Sequence, residues 1–385
     1  MKRRRHVAIL IETSRAYGRG LIRGIARYNR ENGNWLTYFQ PHGLGAPPPP
    51  WLMRWTGDGI IARIDNQKTA RAIAKVKIPI VNLRSTVPNL QFPFIGADNE
   101  EVARLAAEHL LERGFQHFGF CGYRRRFHPG FDTRQDRFQQ LVEKAGCCCN
   151  TFSLSRGIRR PLTWEHEQER IGKWIESLPK PVGIMAVNDD RGLQVLDACR
   201  RIGVKVPDEA AVIGVDNDEY LCSLSIPPLS SIEVNSEQTG YRAAVLLDRL
   251  MSGKRPPKKT LKIQPRGVIT RRSTDVLATD DVEVVNAVRY IRIHACRPIN
   301  GEDVASFMKV SRTYLEPRIR AVLGRTIHQE IARVRIARAK ELLSTTAMPI
   351  KKIAQNSGFK TVQYFTRIFL QKTGQTPAGF RRQVP

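Results

Sequence analysis

Apolar positions follow two different rhythms along this 385-residue chain. Up to about residue 275, short apolar runs alternate with amphipathic stretches. The runs Val7–Ile11, Gly59–Ile64, Ile78–Leu83, Phe94–Ala97, His117–Gly122, Gly183–Val187 and Val212–Val215 read as buried strands. Between them, Arg19–Arg30, Glu100–Arg113, Thr133–Ala145, Glu165–Ser177 and Asp190–Ile202 carry apolar residues at helical spacing. Such alternation predicts parallel sheets with helices on both faces, and its length predicts two α/β lobes rather than one sheet. Four prolines in "APPPPW" (46–51) predict a stiff, extended loop.

Past "VLATDD" the strand signal disappears. Short helices are predicted over Val282–Ala295, Glu302–Lys309, Arg312–Leu323, Ile327–Ser344, Ile350–Asn356, Thr361–Lys372 and Pro377–Arg382. Ser311, Gly324, Gly374 and the Thr376-Pro377 pair sit where caps should. The expected organisation is therefore an α/β domain over 1–275, a linker at 276–281 and an all-α domain over 282–385.

The helical tail repeats itself. "EDVASFMKVSRTYLEPRIRAVLG" and "IKKIAQNSGFKTVQYFTRIFLQKTG" each read as helix, tight turn, helix, and their second helices start 50 residues apart. In the second, Val362, Phe365 and Phe369 form one apolar stripe, while Thr361, Gln363, Tyr364 and Arg367 point away from it. That outward face holds hydrogen-bonding groups and a guanidinium but no acid. A helix-turn-helix presents such a face to the DNA major groove. Gln363 suits adenine, Arg367 suits guanine or a phosphate, and Thr361 and Tyr364 suit phosphates. In the first unit Ser311 opens the second helix, and Arg312, Thr313 and Arg318 play the corresponding parts. Pro317 lies inside that helix, where a missing donor and a clash cost about 3 kcal/mol.

Charge sharpens this picture. The formal charge is +27, which favours a polyanionic partner. Residues 281–385 hold 19 Lys and Arg against 7 Asp and Glu, so the tail carries +12 and the first 280 residues +15. The tail is about twice as basic per residue. No apolar stretch is long enough for a membrane span or a signal-peptide core. The seven cysteines, three of them adjacent at 147–149, form no metal-type spacing and read as reduced thiols on a cytosolic loop. Nucleotide-binding, hydrolase and metalloprotease motifs are missing, and no metal or other cofactor is expected.

The last hundred residues closely resemble the signature of the arabinose-regulator (AraC/XylS) family of bacterial transcription factors. The resemblance lies in Arg335, Ala339, Leu342 and Leu343 (R-x-x-x-A-x-x-L-L), I-x-x-I-A, the G-F turn, Y-F-x-R-x-F and the G-x-T-P-x-x-F-R close. It implies two helix-turn-helix modules reading successive major grooves on one side of the duplex.

Three constellations in the front half suggest a ligand cleft: "TRQDRF" (133–138), "VNDD" (187–190) and "VDND" (215–218). Residues just beyond parallel strands line the crevice of a two-lobed fold. Carboxylates and a guanidinium there suit a polyol, and Tyr17 can cover the apolar face of a sugar ring. Each constellation taken singly also suits a helix cap or turn. They resemble sugar-contacting positions of the LacI/periplasmic-binding-protein class, which implies Arg134, Asp189 and Asp216 as sugar ligands and Asp98 near the hinge. Tyr17 and Arg19 belong to "RAYGR", one of several stretches that resemble the bacterial xylose-operon regulators, whose domain order is also this one. The resemblance implies D-xylose as effector, promoter DNA and RNA polymerase as partners, a cytoplasmic homodimer and activation of pentose catabolism. A regulator of another pentose or hexose operon, a sugar-processing enzyme with paired carboxylates, and a non-specific nucleic-acid binder are the competing readings.

Overall fold

The computed structural model describes residues 3–32, 35–153, 163–257, 260–279 and 281–383. Asp280 of the expected linker lies outside these residues. The chain divides into two compact units: Met1–Glu108 with His117–Asp275, and His109–Gln116 with Val276–Pro385.

The first unit holds two α/β lobes. In one, β1 (Arg5–Leu10), β2 (Trp35–Phe39), β3 (Gly59–Ala62) and β4 (Ile80–Asn82) form a parallel sheet in the order β2-β1-β3-β4. β1 and β3 are apolar on both faces because helices cover both. α1 (Ala16–Asn32) and α2 (Gln67–Ala74) belong to this lobe. β5 (Ile95–Ala97) follows, then α3 (Asn99–Leu111). In the other lobe, β6 (His117–Cys121), β7 (Cys148–Phe152), β8 (Val182–Ala186), β9 (Ala210–Val215) and β10 (Ser230–Glu233) lie with α4 (Pro129–Lys144), α5 (Trp164–Glu176), α6 (Asp189–Arg201) and α7 (Glu219–Leu224). The chain then returns to the first lobe, where α8 (Ser236–Met251) packs its Ala243, Ala244 and Leu247 into the core that holds Leu21 and Ile25 of α1. β11 (Leu261–Ile263) pairs with β5, and β12 (Gly267–Ile269) closes the second sheet in antiparallel sense, in the order β12-β10-β9-β8-β6-β7.

All seven apolar runs become strands within a few residues of their expected limits. β2, β7, β10, β11 and β12 were not expected. β2 and β7 are edge strands with largely exposed side chains, and β10 is polar, so none carries a buried apolar run. Cys148 and Cys149 therefore lie in a strand rather than on a loop.

The second unit is helical: α9 (Val282–His294), α10 (Gly301–Phe307), α11 (Arg312–Leu323), α12 (Ile327–Thr345), α13 (Ile350–Asn356), α14 (Val362–Thr373) and α15 (Pro377–Gln383). Ser311 and Thr361 accept the third backbone N–H of α11 and α14, and Gly324 and Gly374 end them at φ +66° and +74°. α11 continues through Pro317. Two cores form. Val288, Ile291, Leu315 and Ile319 fill one, Ile353, Phe365 and Phe369 the other, and α12 contributes Ile327 and Ile331 to the first and Leu342 and Leu343 to the second. Val362, the first residue of the expected stripe, is half-buried.

Two polar features fix α12. Arg335 donates to the carbonyls of Ala295 (2.7 Å), Arg297 (3.0 Å) and Ile299 (3.1 Å), satisfying the end of α9 and the loop after it. Gly358 (φ +79°) lies against the same loop, since a Cβ there would stand 2.9 Å from the Ala295 oxygen. Glu330, fully buried, accepts from Arg325 (2.6 Å) and from both Nε and Nη2 of Arg333 (2.8 Å each). Burial alone would raise its pKa, but the two guanidiniums outweigh this and hold it near 2.

Glu330→Gln should leave two half-buried guanidiniums underpaired and cost the second unit about 1.5–3 kcal/mol, read by denaturant unfolding. Because the folded pKa lies below the ordinary carboxylate value, Glu330 stabilises fully above about pH 4.5 and loses that contribution as pH falls toward 2. A variant with the wild-type midpoint and acid profile would mean the pairs carry nothing.

Candidate functional site

Between the lobes of the first unit, loops at the carboxyl ends of β1, β8 and β9 enclose a cavity of about 490 Å3. Arg15, Tyr17 and Arg19 come from one lobe, and Asp189, Asp190 and Asp216 from the other, with Asp218 and Tyr220 at the rim. The lobes are already bridged. Arg15 pairs with Asp190 at 2.6 Å, and the Ala16 amide donates to Asp218 at 3.2 Å.

Asp189 opens α6, where Asn188 caps the helix by accepting from Arg191 N–H. The Asp189 carboxyl is buried and accepts from the Asp218 amide (2.7 Å) and the Ser231 hydroxyl (2.6 Å). Both oxygens are thus engaged by protein donors, one from the turn after β9 and one from β10. Gly214 makes room for this, since a Cβ there would stand 2.2 Å from Asp189 Oδ1. Burial, reinforced by neighbouring Asp216, pushes the Asp189 pKa well above the carboxylate range.

Asp216 and Asn217 occupy that turn at φ +108° and +50°, a conformation L-residues rarely adopt. The Asp216 amide donates to Ile232 O, and Asn217 is held by the Ser231 hydroxyl and by Arg271 Nη2 (2.8 Å). Burial raises the Asp216 pKa to about 6, against the pull of Arg134. Asp216 lines the cavity.

The other expected ligands are distributed unevenly. Tyr17 and Arg19 line the cavity; Arg63, itself paired with buried Glu12, lies 4.9 Å over the Tyr17 ring. Arg134 stands behind the wall, donating to Asn99 Oδ1 (2.8 Å) and the Val187 carbonyl (2.6 Å), 5.2 Å over Phe131. Asp98 is not among the lining residues. It accepts from Gln264 Nε2 (2.9 Å) and the Glu100 amide (3.2 Å) beside the β5–β11 pair. Arg15, Asp190 and Tyr220 were missed. Asp190 adjoins Asp189 in "VNDD", so the doubled acid was the available signal; Arg15 opens the same "RAYGR" stretch as Tyr17 and Arg19, so that motif was the signal for it.

In the second unit Gln363 and Arg367 lie exposed on α14, with Arg367 5.3 Å over the Tyr364 ring. Tyr364 is half-buried against Phe359. Thr313 and Arg312 are exposed on α11. Arg318 is turned to the start of α9, where it pairs with Asp281 and Glu283. Among the described residues no cluster of three or more metal-ligand side chains occurs, and no helix is long and apolar enough to cross a membrane.

The expectation that Asp216 is a sugar ligand predicts a pH-dependent sugar affinity. Below about pH 6 protonation removes an acceptor, so calorimetric titration with D-xylose should show affinity falling by up to tenfold per pH unit. A folded pKa above the unfolded one also means that ionised Asp216 opposes folding at neutral pH. Asp216→Asn should remove that cost while weakening sugar binding. A flat affinity from pH 5 to 8 would place the acceptor elsewhere.

Comparison with known proteins finds three matching domain families along the chain. Residues 6–100 match the XylR N-terminal domain, residues 107–274 a periplasmic binding protein-like domain, and residues 304–383 a helix-turn-helix domain. The xylose operon regulatory protein of Escherichia coli K12 is 32% identical over 98% of this chain and 97% of its own. That of Haemophilus influenzae is 33% identical over 97% of each. A solved structure of the xylose-binding transcription activator xylR superposes with a TM-score of 0.63, at 32% identity, covering 99% of this chain and 98% of that one. With such relatives matching from end to end, the chain belongs to the family of xylose operon regulatory proteins.

Proposed function

We propose that this protein is a transcription regulator that binds D-xylose in the cleft of its first unit and promoter DNA through its second, switching on genes of xylose catabolism. The observation that carries the reading is one chain holding both an acid- and arginine-lined cleft and two helix-turn-helix units. Relatives matching the whole chain are regulators, which sets the enzyme reading aside. Residues 1–275 act as effector domain and 282–385 as DNA-binding domain, joined at 276–281.

In this reading Asp216 accepts from neighbouring sugar hydroxyls, Arg19 donates to sugar oxygen, and Tyr17 covers an apolar ring face. Asp189 and Arg134 hold the wall in place, and Asp98 supports the crossing between lobes. Sugar bridging both lobes favours one arrangement of them, and that shift changes how DNA is held. The protein works as a homodimer in the cytoplasm, and as an activator it engages RNA polymerase.

A thermal-shift series over D-xylose, other pentoses and hexoses tests the effector, since a ligand of the folded state raises its stability by mass action. D-xylose should give the largest shift. Asp216→Ala should weaken its binding by one to two orders of magnitude, the loss of a charge-assisted hydrogen bond worth about 1.5–3 kcal/mol, and leave sugar-free DNA affinity unchanged. No shift with any sugar would remove the effector role; a larger shift with another sugar would reassign the operon.

A further inference from the structure

The two helix-turn-helix units are alike in backbone but opposite in the chemistry of their outward faces. α11 and α14 begin 50 residues apart, so positions 313, 316 and 317 of one correspond to 363, 366 and 367 of the other. Near its start α14 presents Gln363, Thr366 and Arg367; α11 presents Thr313, Glu316 and Pro317. The first set carries an amide and a guanidinium. The second carries a hydroxyl, a carboxylate and a ring without a donor.

Ion pairs widen the difference. Arg312 donates to Glu316 (2.9 Å) and Glu302 (3.4 Å). Arg318 is held in a fork by Asp281 (2.8 and 2.9 Å) and by Glu283, which also accepts from the Tyr314 hydroxyl (2.9 Å). Asp281 is at the same time the N-cap of α9, so this clamp is anchored in a helix terminus. Around α14 the acids vanish. Residues 342–385 contain seven Lys and Arg and no Asp or Glu. Among the described residues Gln363 and Arg367 have no ion pair or hydrogen bond, only the stacking of Arg367 on Tyr364.

We propose that base discrimination resides in α14, through Gln363 and Arg367, while α11 is an anchoring module in which Arg312 and Arg318 are held by carboxylates and Arg320 stays exposed. The inference rests on the DNA-binding reading above. An amide pairs in two places with adenine N6/N7 and a guanidinium with guanine O6/N7. Pro317 offers only apolar contact to a thymine methyl, the Thr313 hydroxyl is shared with Ser311 (3.0 Å), and Glu316 is held back by Arg312. The site for one protomer is then asymmetric. An informative block of adenine and guanine lies under α14, and about one helical turn away a weak, thymine-biased block lies under α11.

Selection from randomised duplexes with the full-length protein, with and without D-xylose, tests this directly. The recovered motif should hold one strong and one weak block. Arg367→Ala and Gln363→Ala should each lower affinity for that motif by roughly 5- to 150-fold and erase preference at one base pair of the strong block. Thr313→Ala should change affinity by less than about threefold, the sequence-tolerant behaviour of an anchoring contact. Asp281→Asn combined with Glu283→Gln keeps a capping side chain but frees Arg318. It should tighten binding to all duplexes alike and steepen the salt dependence by about one phosphate, without changing the motif. Circular dichroism of each variant separates loss of folding from loss of contact. Two equally informative blocks, or a motif altered by freeing Arg318, would overturn the assignment while leaving DNA binding intact. No enrichment of any sequence would overturn sequence-specific DNA binding itself.

Discussion

The cleft depends on a carboxyl that does not face solvent. Asp189 is buried beneath the ends of β8, β9 and β10, and its two oxygens gather the Asp218 amide and the Ser231 hydroxyl. A buried carboxyl is tolerated only when such donors satisfy it. In return it fixes the turn in which Asp216 and Asn217 adopt positive φ, at a cost of about 1–3 kcal/mol per strained residue. Strain of that size persists when the surroundings over-determine the conformation. Here the Ile232 carbonyl, the Ser231 hydroxyl and Arg271 complete the frame. This frame fixes where the Asp216 carboxyl meets the cavity.

The helical unit solves a similar problem with backbone groups. The end of α9 and the loop after it leave carbonyls that Arg335 collects, and Gly358 lets the turn before α14 approach the same loop. α12 threads both small cores, so the two turn units are tied through one helix and one guanidinium. This gives the family's R-x-x-x-A-x-x-L-L pattern a physical content: its arginine satisfies a neighbouring helix end, and its apolar positions fill the second core.

Much of this architecture was legible in the sequence because it rests on apolar periodicity and caps. Fully buried strands such as β8 and β9 announce themselves as apolar runs, and Ser311, Gly324 and Gly374 mark helix ends by their own chemistry. β10 and β12 were illegible, because they are held by backbone pairing and by serine and threonine contacts rather than by apolar side chains. Sequence spacing also cannot tell a residue that lines a cavity from one that supports its wall. Asp98 and Arg134 were grouped with Asp216 yet are not among the lining residues, and Asp189, which does line the cavity, has both oxygens engaged by protein donors. Arg318 shows the same limit in the helical unit, where a basic residue on a presumed reading helix turns out to grip its own domain.

The central claim is that one chain couples a sugar cleft to a DNA-reading surface. Such coupling is reciprocal: if sugar changes DNA affinity by some factor, DNA changes sugar affinity by the same factor. D-xylose titrated calorimetrically into the free protein and into protein saturated with its selected duplex measures that factor. Coupling of about 1–3 kcal/mol predicts sugar affinities differing by roughly 5- to 150-fold between the two titrations. Equal affinities, with both ligands bound, would mean that the cleft and the reading helices share a chain without sharing a conformational equilibrium.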